Sequence, residues 1–152
     1  MAETALLTSA VASALGFEPR VAMLSFSNFG SVDHPMAAKV RRAAEIAKSR
    51  APDLPVDGEM QLSIAVNEAL RREYFPFCTL PGNANVLIFP DVQSGNLALN
   101  TLQSLGGAVV VGPILVGTRL PVHLIQYGSE AKDVVNLVAA AVVEAASRRP
   151  GS

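Results

Sequence analysis

The sequence has few cysteines and charged residues and no long apolar run, and each of these features is needed by a particular class of protein. Cys78 is its one cysteine, which excludes an internal disulfide and a zinc site of several thiolates, and which fits a reducing compartment. Charged residues make up only 16% of the chain and the formal net charge is -1, so long-range attraction for nucleic acid or an acidic membrane is not expected. No uninterrupted apolar run is long enough to cross a bilayer, and the first fifteen residues lack the basic start of a signal peptide. We therefore expect a cytoplasmic protein that binds neither nucleic acid nor membranes.

Apolar residues, by contrast, make up half of the 152 residues. This length corresponds to one domain, which we place over residues 1–152, and it suffices to bury a sizeable core. Because so much of the chain is apolar, we expect self-association or a neighbouring domain to cover part of it. The paired arginines at 41–42, 71–72 and 148–149 lie apart in the sequence and are predicted to be solvated.

Strands and helices are predicted to alternate along the chain. Short apolar segments bounded by turn residues predict strands over residues 20–26, 54–59, 85–90 and 121–126. Apolar residues at helical spacing predict helices over residues 2–15, 35–51, 62–74, 94–105 and 129–148. In the last helix we expect five side chains to face inward, those of Val134, Leu137, Val138, Ala141 and Val142. This alternation indicates an α/β fold with a largely parallel sheet between helices, hence three α/β/α layers.

The loop after the first strand is one candidate binding site, because ligands of parallel sheets bind at the carboxyl ends of the strands. Residues 25–31 combine hydroxyls, an amide and a glycine directly before a helix. Such a loop either directs backbone N–H groups at a bound anion or only caps the helix. The residues alone leave both alternatives open.

Two carboxylates, Asp57 and Glu59, follow the second strand. They fit acid/base chemistry if their surroundings differ, but a solvated acidic turn is the favoured interpretation. His34 and His123 have no cysteine or carboxylate at metal-ligand spacing, so no metal site is predicted. No serine has the surroundings of a hydrolase nucleophile, and no phosphate-binding or dinucleotide-binding glycine motif is present.

Several segments together resemble the phosphate acetyl/butyryl transferases in order and spacing. The matching segments are Ser25-Phe26-Ser27 with Gly30-Ser31, Ala51-Pro52-Asp53-Leu54, Asp57-Gly58-Glu59-Met60-Gln61, Ala84 to Asp91, Gly112-Pro113-Ile114-Leu115, Pro121-Val122-His123 and Asp133-Val134-Val135-Asn136. The ordered set is far more specific than any one segment. The resemblance implies the fold of the C-terminal half of a phosphate acetyltransferase.

Two segments, Ser27-Asn28-Phe29-Gly30-Ser31 and Phe75-Pro76-Phe77, are similar to the transferase-like domain at the C-terminus of bacterial NADP-dependent malic enzymes. That resemblance implies a C-terminal piece of a larger polypeptide, whose malic enzyme module converts malate to pyruvate and CO2. NADP and a divalent metal ion are expected in that module, and no cofactor is expected in this chain. The resemblance also implies acetyl-CoA or CoA as an effector, and self-association as a dimer or larger oligomer.

One difference from the transferases bears on catalysis. They carry an adjacent serine and arginine and then an aspartate, where this chain has Gln126, Tyr127 and Asp133. In that family the arginine holds the acyl phosphate, and the aspartate is proposed to help deprotonate the CoA thiol. Because tyrosine lacks the cationic fork of arginine, we predict a regulatory domain of impaired activity and assign no catalytic residue. The alternative is an active phosphate acetyltransferase in which another residue replaces the arginine.

The resemblance also implies a set of ligand-binding residues. These are Ser27, Asn28, Gly30, Ser31, Gly112, Pro113, Ile114, Gln126, Tyr127 and Asp133. Residues 112–117 are expected to allow close approach of the pantetheine arm, and Gln126 or Tyr127 to hydrogen-bond or stack with it. Arg119 and Lys132 are either contacts for a CoA phosphate or solvated surface charges.

Overall fold

The computed structural model describes residues 1–147, which contain six helices and five strands. The helices are α1 (Ala2–Ala14), α2 (Pro35–Arg50), α3 (Leu62–Ala65), α4 (Glu68–Tyr74), α5 (Val92–Gly106) and α6 (Ala131–Ser147). The strands are β1 (Val21–Leu24), β2 (Val56–Met60), β3 (Val86–Ile88), β4 (Ile114–Leu115) and β5 (Val122–His123). The predicted end of the last helix at residue 148 and the arginine pair 148–149 lie outside the described residues.

The core is a parallel sheet in which β1 lies between β2 and β3. Val21 of β1 pairs with Val56 on one side and with Val86 on the other. All four residues of β1 are buried, because apolar side chains on both of its faces meet helices. The prediction of an α/β fold with a parallel sheet is therefore confirmed.

Helices cover both faces of this sheet. On one face α1 and α2 pack against Val21, Met23 and the valines of the outer strands. On the other face, Ala22 and Leu24 pack with Ile64 of α3 and with the segment that follows α4. The arrangement is the expected three-layer one. It leaves the loops at the carboxyl ends of β1 and β2 beside each other.

The segment 62–74 is two short helices and not the single helix predicted. α3 ends at Ala65, and Asn67 begins α4 by accepting a hydrogen bond from the backbone N–H of Leu70 at 3.0 Å. A side chain that caps a helix in this way favours a new start over continuation. Apolar spacing alone did not reveal the break.

The C-terminal third also differs from the prediction. The strand predicted over residues 121–126 shortens to β5, which pairs antiparallel with β4 and not with the central sheet. In α6, Leu137 is buried and Val134 and Ala141 are half-buried, but Val138 and Val142 are 57% and 62% exposed. Within residues 1–147, α1 and β5 cover only one face of α6. The prediction that all five side chains face inward was therefore wrong for two valines.

None of the helices in residues 1–147 combines the length and the apolar character needed to cross a membrane.

Candidate functional site

Glu59 organises the polar cluster at the carboxyl ends of β1 and β2. Its side chain is fully buried, and its Oε1 accepts hydrogen bonds from Ser27 Oγ at 2.9 Å and from the Gly30 N–H at 2.8 Å. Arg41 of α2 donates from Nε to Oε2 at 2.8 Å and from Nη2 to Oε1 at 3.1 Å. Burial by itself raises the pKa of Glu59, but the hydrogen bonds from Arg41, Gly30 and Ser27 outweigh burial and hold the pKa below its ordinary value.

The backbone of the loop 27–32 is directed at acceptors inside the chain. Its six consecutive N–H groups donate, in order, to Ser25 Oγ, Ser31 Oγ, Glu59 O, Glu59 Oε1, Asn28 O and Ser27 Oγ, at 3.3, 2.9, 2.8, 2.8, 2.9 and 3.1 Å. The structure thus places the carboxylate of Glu59 where the sequence led us to consider a bound anion. Ligand binding by Ser27, Asn28, Gly30 and Ser31 stays a prediction, and it has to use groups other than these N–H donors.

An aromatic contact anchors the same loop. The ring of Phe29 lies 5.2 Å from the ring of Phe75 and 5.1 Å from that of Phe77, measured between centroids. Phe29 has a φ of 47°, which is uncommon for a residue with a side chain, and the two ring contacts help to hold it there. The segments that carry the resemblance to malic enzymes, residues 27–31 and 75–77, therefore contact each other.

Asp57 is the second buried carboxylate of β2. Its Oδ1 lies 2.5 Å from Lys48 Nζ and accepts from the Gly58 N–H, while its Oδ2 accepts from the Thr79 N–H at 2.9 Å. Burial raises the pKa of Asp57, but the contacts with Lys48, Thr79 and Gly58 are stronger and lower it overall.

The favoured interpretation of Asp57 and Glu59 as a solvated turn was wrong. Both belong to β2, both are buried, and each has a cation of α2 as its partner. A carboxylate whose pKa is lowered holds no proton near neutral pH, so neither residue suits the role of a general acid. The geometry assigns them to holding α2 and the 27–32 loop on the sheet.

A cavity of about 600 Å³ lies between α5, the segment 108–114 and the beginning of α6. Five of the predicted ligand-binding residues line it, namely Gly112, Pro113, Ile114, Gln126 and Asp133. Apolar side chains, among them Leu99 and Val111, form part of the wall, and Asn96, Gln103 and Ser129 supply polar groups. The loop residues 27–31 do not line this cavity, so the predicted set divides between two places in the fold.

The charged residues of the cavity lie at the start of α6. Asp133 Oδ2 accepts a hydrogen bond from the Glu130 N–H at 2.9 Å, so this carboxylate also caps the helix. Lys132 Nζ lies 2.9 Å from Glu130 Oε2, and that hydrogen bond, with the nearby charge of Asp133, raises the pKa of Lys132. Among residues 1–147, the lining contains one cation, two carboxylates and no arginine.

Tyr127 does not contribute to the cavity. Its side chain is fully exposed and is absent from the lining, whereas its neighbour Gln126 belongs to it. Arg119 is not part of the lining either, but Lys132 is. The expectation that Tyr127 stacks on a ligand has no support from this geometry.

The histidines occupy separate places. His34 caps α2, with its Nδ1 accepting from the Met36 N–H at 3.2 Å. The side chain of His123 in β5 is buried, and its Nε2 lies 3.6 Å from Glu144 Oε2 of α6. Glu144 also lines a second cavity, of about 680 Å³, between α1 and α6. In residues 1–147 no three histidine, cysteine or acidic side chains come together as metal ligands would.

Arg71 is a third charged residue whose surroundings differ from the prediction. It was predicted to be solvated, yet it is buried and its guanidinium donates to the backbone carbonyls of Ile64, Ala65, Leu80 and Gly82. These acceptors belong to α3 and to the loop after α4. Arg71 and its exposed neighbour Arg72 form a basic pair, which is typical of a solvated surface. No local sequence pattern distinguishes the buried arginine from the exposed one.

Comparisons with known proteins agree with this architecture. A family model described as phosphate acetyl/butaryl transferase matches residues 1–142. The NADP-dependent malic enzyme of Escherichia coli (strain K12) is 42% identical over 146 residues, which cover 95% of this chain and 19% of that protein. The phosphate acetyltransferase of Clostridium acetobutylicum is also 42% identical over 146 residues, and there the match covers 95% of this chain and 44% of the relative.

A solved structure extends the comparison to three dimensions. The EutD phosphotransacetylase from Staphylococcus aureus superposes with a TM-score of 0.89 at 36% identity, covering 95% of this chain and 45% of that one. The chain therefore spans less than half the length of each of these three proteins. It belongs to the phosphate acetyl/butyryl transferase family, as a phosphotransacetylase-like domain of the kind found in both malic enzymes and phosphate acetyltransferases.

Proposed function

We propose that this chain is a regulatory domain that binds acetyl-CoA and has lost most of its capacity for acetyl transfer. In this proposal it acts within a longer cytoplasmic polypeptide whose malic enzyme module uses NADP and a divalent metal ion to convert malate to pyruvate and CO2. The proposal includes self-association of the domain. Its support is the family membership together with the chemistry of the cavity beside α6.

The size and lining of that cavity suit the acyl-pantetheine arm of acetyl-CoA. Binding sites for small molecules and cofactors usually measure about 300–1,000 Å³ and combine apolar walls with a few polar groups. The cavity of about 600 Å³ has that composition. Its apolar wall fits the methylene groups of the arm, and Gln103, Gln126 and Ser129 fit its amides.

The proposed loss of acetyl transfer rests on one observation, the charges of the residues that line the cavity. Within residues 1–147 its lining includes Glu130 and Asp133, one cation, Lys132, which pairs with Glu130, and no arginine. Tyr127, at the family's arginine position, points to solvent. A phosphate or a developing oxyanion there meets carboxylates in place of a bidentate cation. Loss of one preorganised donor costs about 3 kcal/mol of transition-state stabilisation, which corresponds to a slowing of more than about 100-fold.

Regulation requires that acetyl-CoA bind two arrangements of the polypeptide with different affinities. The cavity joins three separate segments, α5, residues 108–114 and the start of α6, so a ligand in it fixes their relative positions. Binding there changes how the domain meets its neighbours, and through them it changes malate oxidation.

Calorimetry with acetyl-CoA tests the binding step, and two adjacent substitutions make a matched pair. Gln126→Ala removes a lining amide and is expected to weaken acetyl-CoA binding about 5- to 10-fold, since one hydrogen bond contributes about 1 kcal/mol. Tyr127→Ala changes an exposed side chain outside the cavity and is expected to leave the affinity unchanged. Equal effects of the two substitutions, or no heat of binding at millimolar acetyl-CoA, would contradict the proposal.

The regulatory step is tested on the longer polypeptide. Its malate-dependent reduction of NADP is expected to change when acetyl-CoA is added, and Gln126→Ala is expected to shift that response to higher acetyl-CoA concentrations. A response that persists unchanged after deletion of this domain would remove the regulatory role.

An active phosphate acetyltransferase is the second candidate, and the place of Asp133 favours it. This carboxylate lines the cavity at the position that the family is proposed to use for deprotonating the CoA thiol. The test is formation of acetyl phosphate from acetyl-CoA and phosphate, with Asp133→Asn as the loss-of-function variant. Turnover at ordinary enzyme rates that disappears in Asp133→Asn would establish this candidate and remove the first.

A further inference from the structure

His123 is a buried polar side chain to which neither the core nor the proposed site gives a role. Its side chain is only 6% exposed. Both ring nitrogens, Nδ1 and Nε2, are shielded from solvent, and within residues 1–147 neither makes a hydrogen bond. An imidazole carries at least one N–H, and a buried N–H without an acceptor is costly. The ring therefore needs an acceptor inside the fold.

Glu144 of α6 is the acceptor that lies within reach. Its side chain is 2% exposed, and its Oε2 lies 3.6 Å from Nε2 of His123. Because an N–H···O hydrogen bond measures about 2.7–3.2 Å, a shift of less than about 1 Å closes the gap. The strand β4 also packs on β5, but it belongs to the segment 92–118, which has no ionisable side chain. Between these two neighbours of β5, it is α6 that brings a charge to the ring.

The attachment of α6 depends on few side chains. Over residues 131–147 the buried ones are Leu137 and Glu144, which are two turns apart on the same face of the helix. Helices in proteins gain most of their stability from tertiary packing of such a face. Here one of the two packed side chains is a carboxylate, so the position of α6 depends on what that carboxylate contacts.

The two partners belong to opposite walls of the cavity of about 600 Å³. His123 is paired across the β4–β5 ladder with Ile114, which lines that cavity. Glu144 lies on the helix whose beginning, with Asp133, forms the facing wall. About three helical turns separate Asp133 from Glu144, and the helix between them is continuous. A contact at Glu144 therefore fixes the beginning of α6 as well.

We infer that His123 donates a hydrogen bond from Nε2 to Glu144, and that this buried pair fixes α6 on the β4–β5 hairpin and so sets the distance between the two walls of the cavity. Neither residue lines that cavity, so both are positioning residues that act through Ile114 and Asp133. The inference deepens the proposed function, and it rests on that function for what the cavity binds. It names the contact that keeps the binding site in shape.

Hydrogen exchange of the 152-residue chain without ligand, measured by mass spectrometry, tests the inference. The readout is the beginning of α6, residues 131–137, which lies away from the pair itself. His123→Leu removes the donor and leaves the carboxylate buried, so exchange there is expected to become about 10- to 100-fold faster. His123→Gln keeps an N–H donor of similar reach and is expected to stay within about 5-fold of the wild type.

A double variant is the matched control for the pair. Replacing both partners of a buried polar pair by apolar side chains costs far less than removing one. His123→Leu combined with Glu144→Leu is therefore expected to bring exchange of residues 131–137 back to within about 5-fold of the wild type. Residues 35–50 of α2 are the internal reference and are expected to exchange at the wild-type rate in every variant. If α2 loses its protection in His123→Leu, His123→Met takes its place, with the same expected direction.

Three outcomes would overturn the inference. These are unchanged exchange of residues 131–137 in the variant without the donor, equal acceleration in His123→Gln, and a double variant that exchanges as fast as the single one. Acetyl-CoA calorimetry separates this inference from the proposed function. A pair that behaves as expected in a chain that binds no acetyl-CoA removes only the function, and a chain that binds acetyl-CoA but shows one of the three outcomes removes only the pair.

Discussion

Glu59→Gln is the substitution that most directly tests how this fold is held together. The change removes the negative charge and keeps the size of the side chain. Glu59 accepts from Ser27, Gly30 and both Nε and Nη2 of Arg41, and it is fully buried. The amide of glutamine supplies one oxygen, and its NH2 group faces donors where the carboxylate presented a second acceptor.

The expected loss of stability follows from the surroundings of the pair. Breaking a buried ion pair costs about 3–5 kcal/mol when the remaining charge stays buried. Arg41, however, is 41% exposed, so water recovers part of that cost. We expect Glu59→Gln to lower the free energy of unfolding by about 2–3 kcal/mol.

Urea unfolding followed by far-UV circular dichroism measures the loss, since the chain has no tryptophan. Glu45→Gln is the matched control, because Glu45 pairs with Arg42 on the surface and such pairs contribute about 0–1 kcal/mol. A loss below about 0.5 kcal/mol for Glu59→Gln, or equal losses for the two variants, would refute the argument from burial.

The same variant has a signature in pH. Because the folded pKa of Glu59 lies below its unfolded value of about 4.3, its ionisation stabilises the fold above that pH, and this contribution disappears as pH falls through the folded pKa. Wild-type stability is therefore expected to fall on acidification below about pH 4.3, and Glu59→Gln to fall less steeply. Asp57, whose pKa is also lowered, keeps part of the dependence in both proteins.

Three further predictions concern packing, a buried cation and the thiol. Gly58→Ala is expected to lower the free energy of unfolding in urea by about 3 kcal/mol or more, because the new Cβ would lie 2.6 Å from the backbone oxygen of Met23 at a φ of +141°. Gly16→Ala, which has open space around it, is the control and is expected to cost about 1 kcal/mol. Equal losses for the two variants would show that the backbone around Gly58 moves to make room. Arg71→Lys is expected to lower the free energy of unfolding by about 2–4 kcal/mol, because lysine cannot donate to all the carbonyls that Arg71 binds. Arg72→Lys on the surface is expected to change it by less than about 0.5 kcal/mol, and the same urea titration measures both variants. Burial raises the pKa of Cys78 to about 11, so little of the thiol is present as thiolate at pH 8. Its reaction with a thiol reagent at that pH is expected to be about 100-fold slower in the folded protein than in urea. Similar rates in the two conditions would contradict the burial of the thiol.

The strands β1 and β3 of the central sheet could be predicted from the sequence because their residues are all apolar. Residues 20–26 and 85–90 contain β1 and β3, and the proline at position 35 begins α2 as predicted. The break between α3 and α4 was missed, since the capping by Asn67 depends on a local hydrogen bond that apolar spacing does not show.

The burial of Asp57 and Glu59 could not be predicted from the sequence, for a different reason. Asp57 and Glu59 flank a glycine, which is typical of a turn, and their partners Lys48 and Arg41 precede them by 9 and 18 residues on α2. Only the packing of α2 on the sheet brings these cations to the carboxylates. A sequence pattern shows that charges are present, but not which of them the fold encloses.

The cavity was located in part through the family resemblance. Five of the ten predicted ligand-binding residues line it, and these come from two segments, residues 112–114 and 126–133. The side chain of Tyr127 points to solvent. This direction depends on the backbone conformation at residue 127, which a sequence resemblance does not specify. The contribution of Gln103 was not predicted, because residues 94–105 were predicted only to form a helix.

The internal hydrogen bonds of residues 27–32 restrict how the length of this loop can vary. Surface loops commonly accept insertions and deletions. Here a single added residue would move each following N–H group past its acceptor and displace Gly30 from the Glu59 carboxylate. We therefore expect homologous chains that keep this glutamate to keep the spacing between Ser27 and Val32 as well, whatever side chains they place at the other positions.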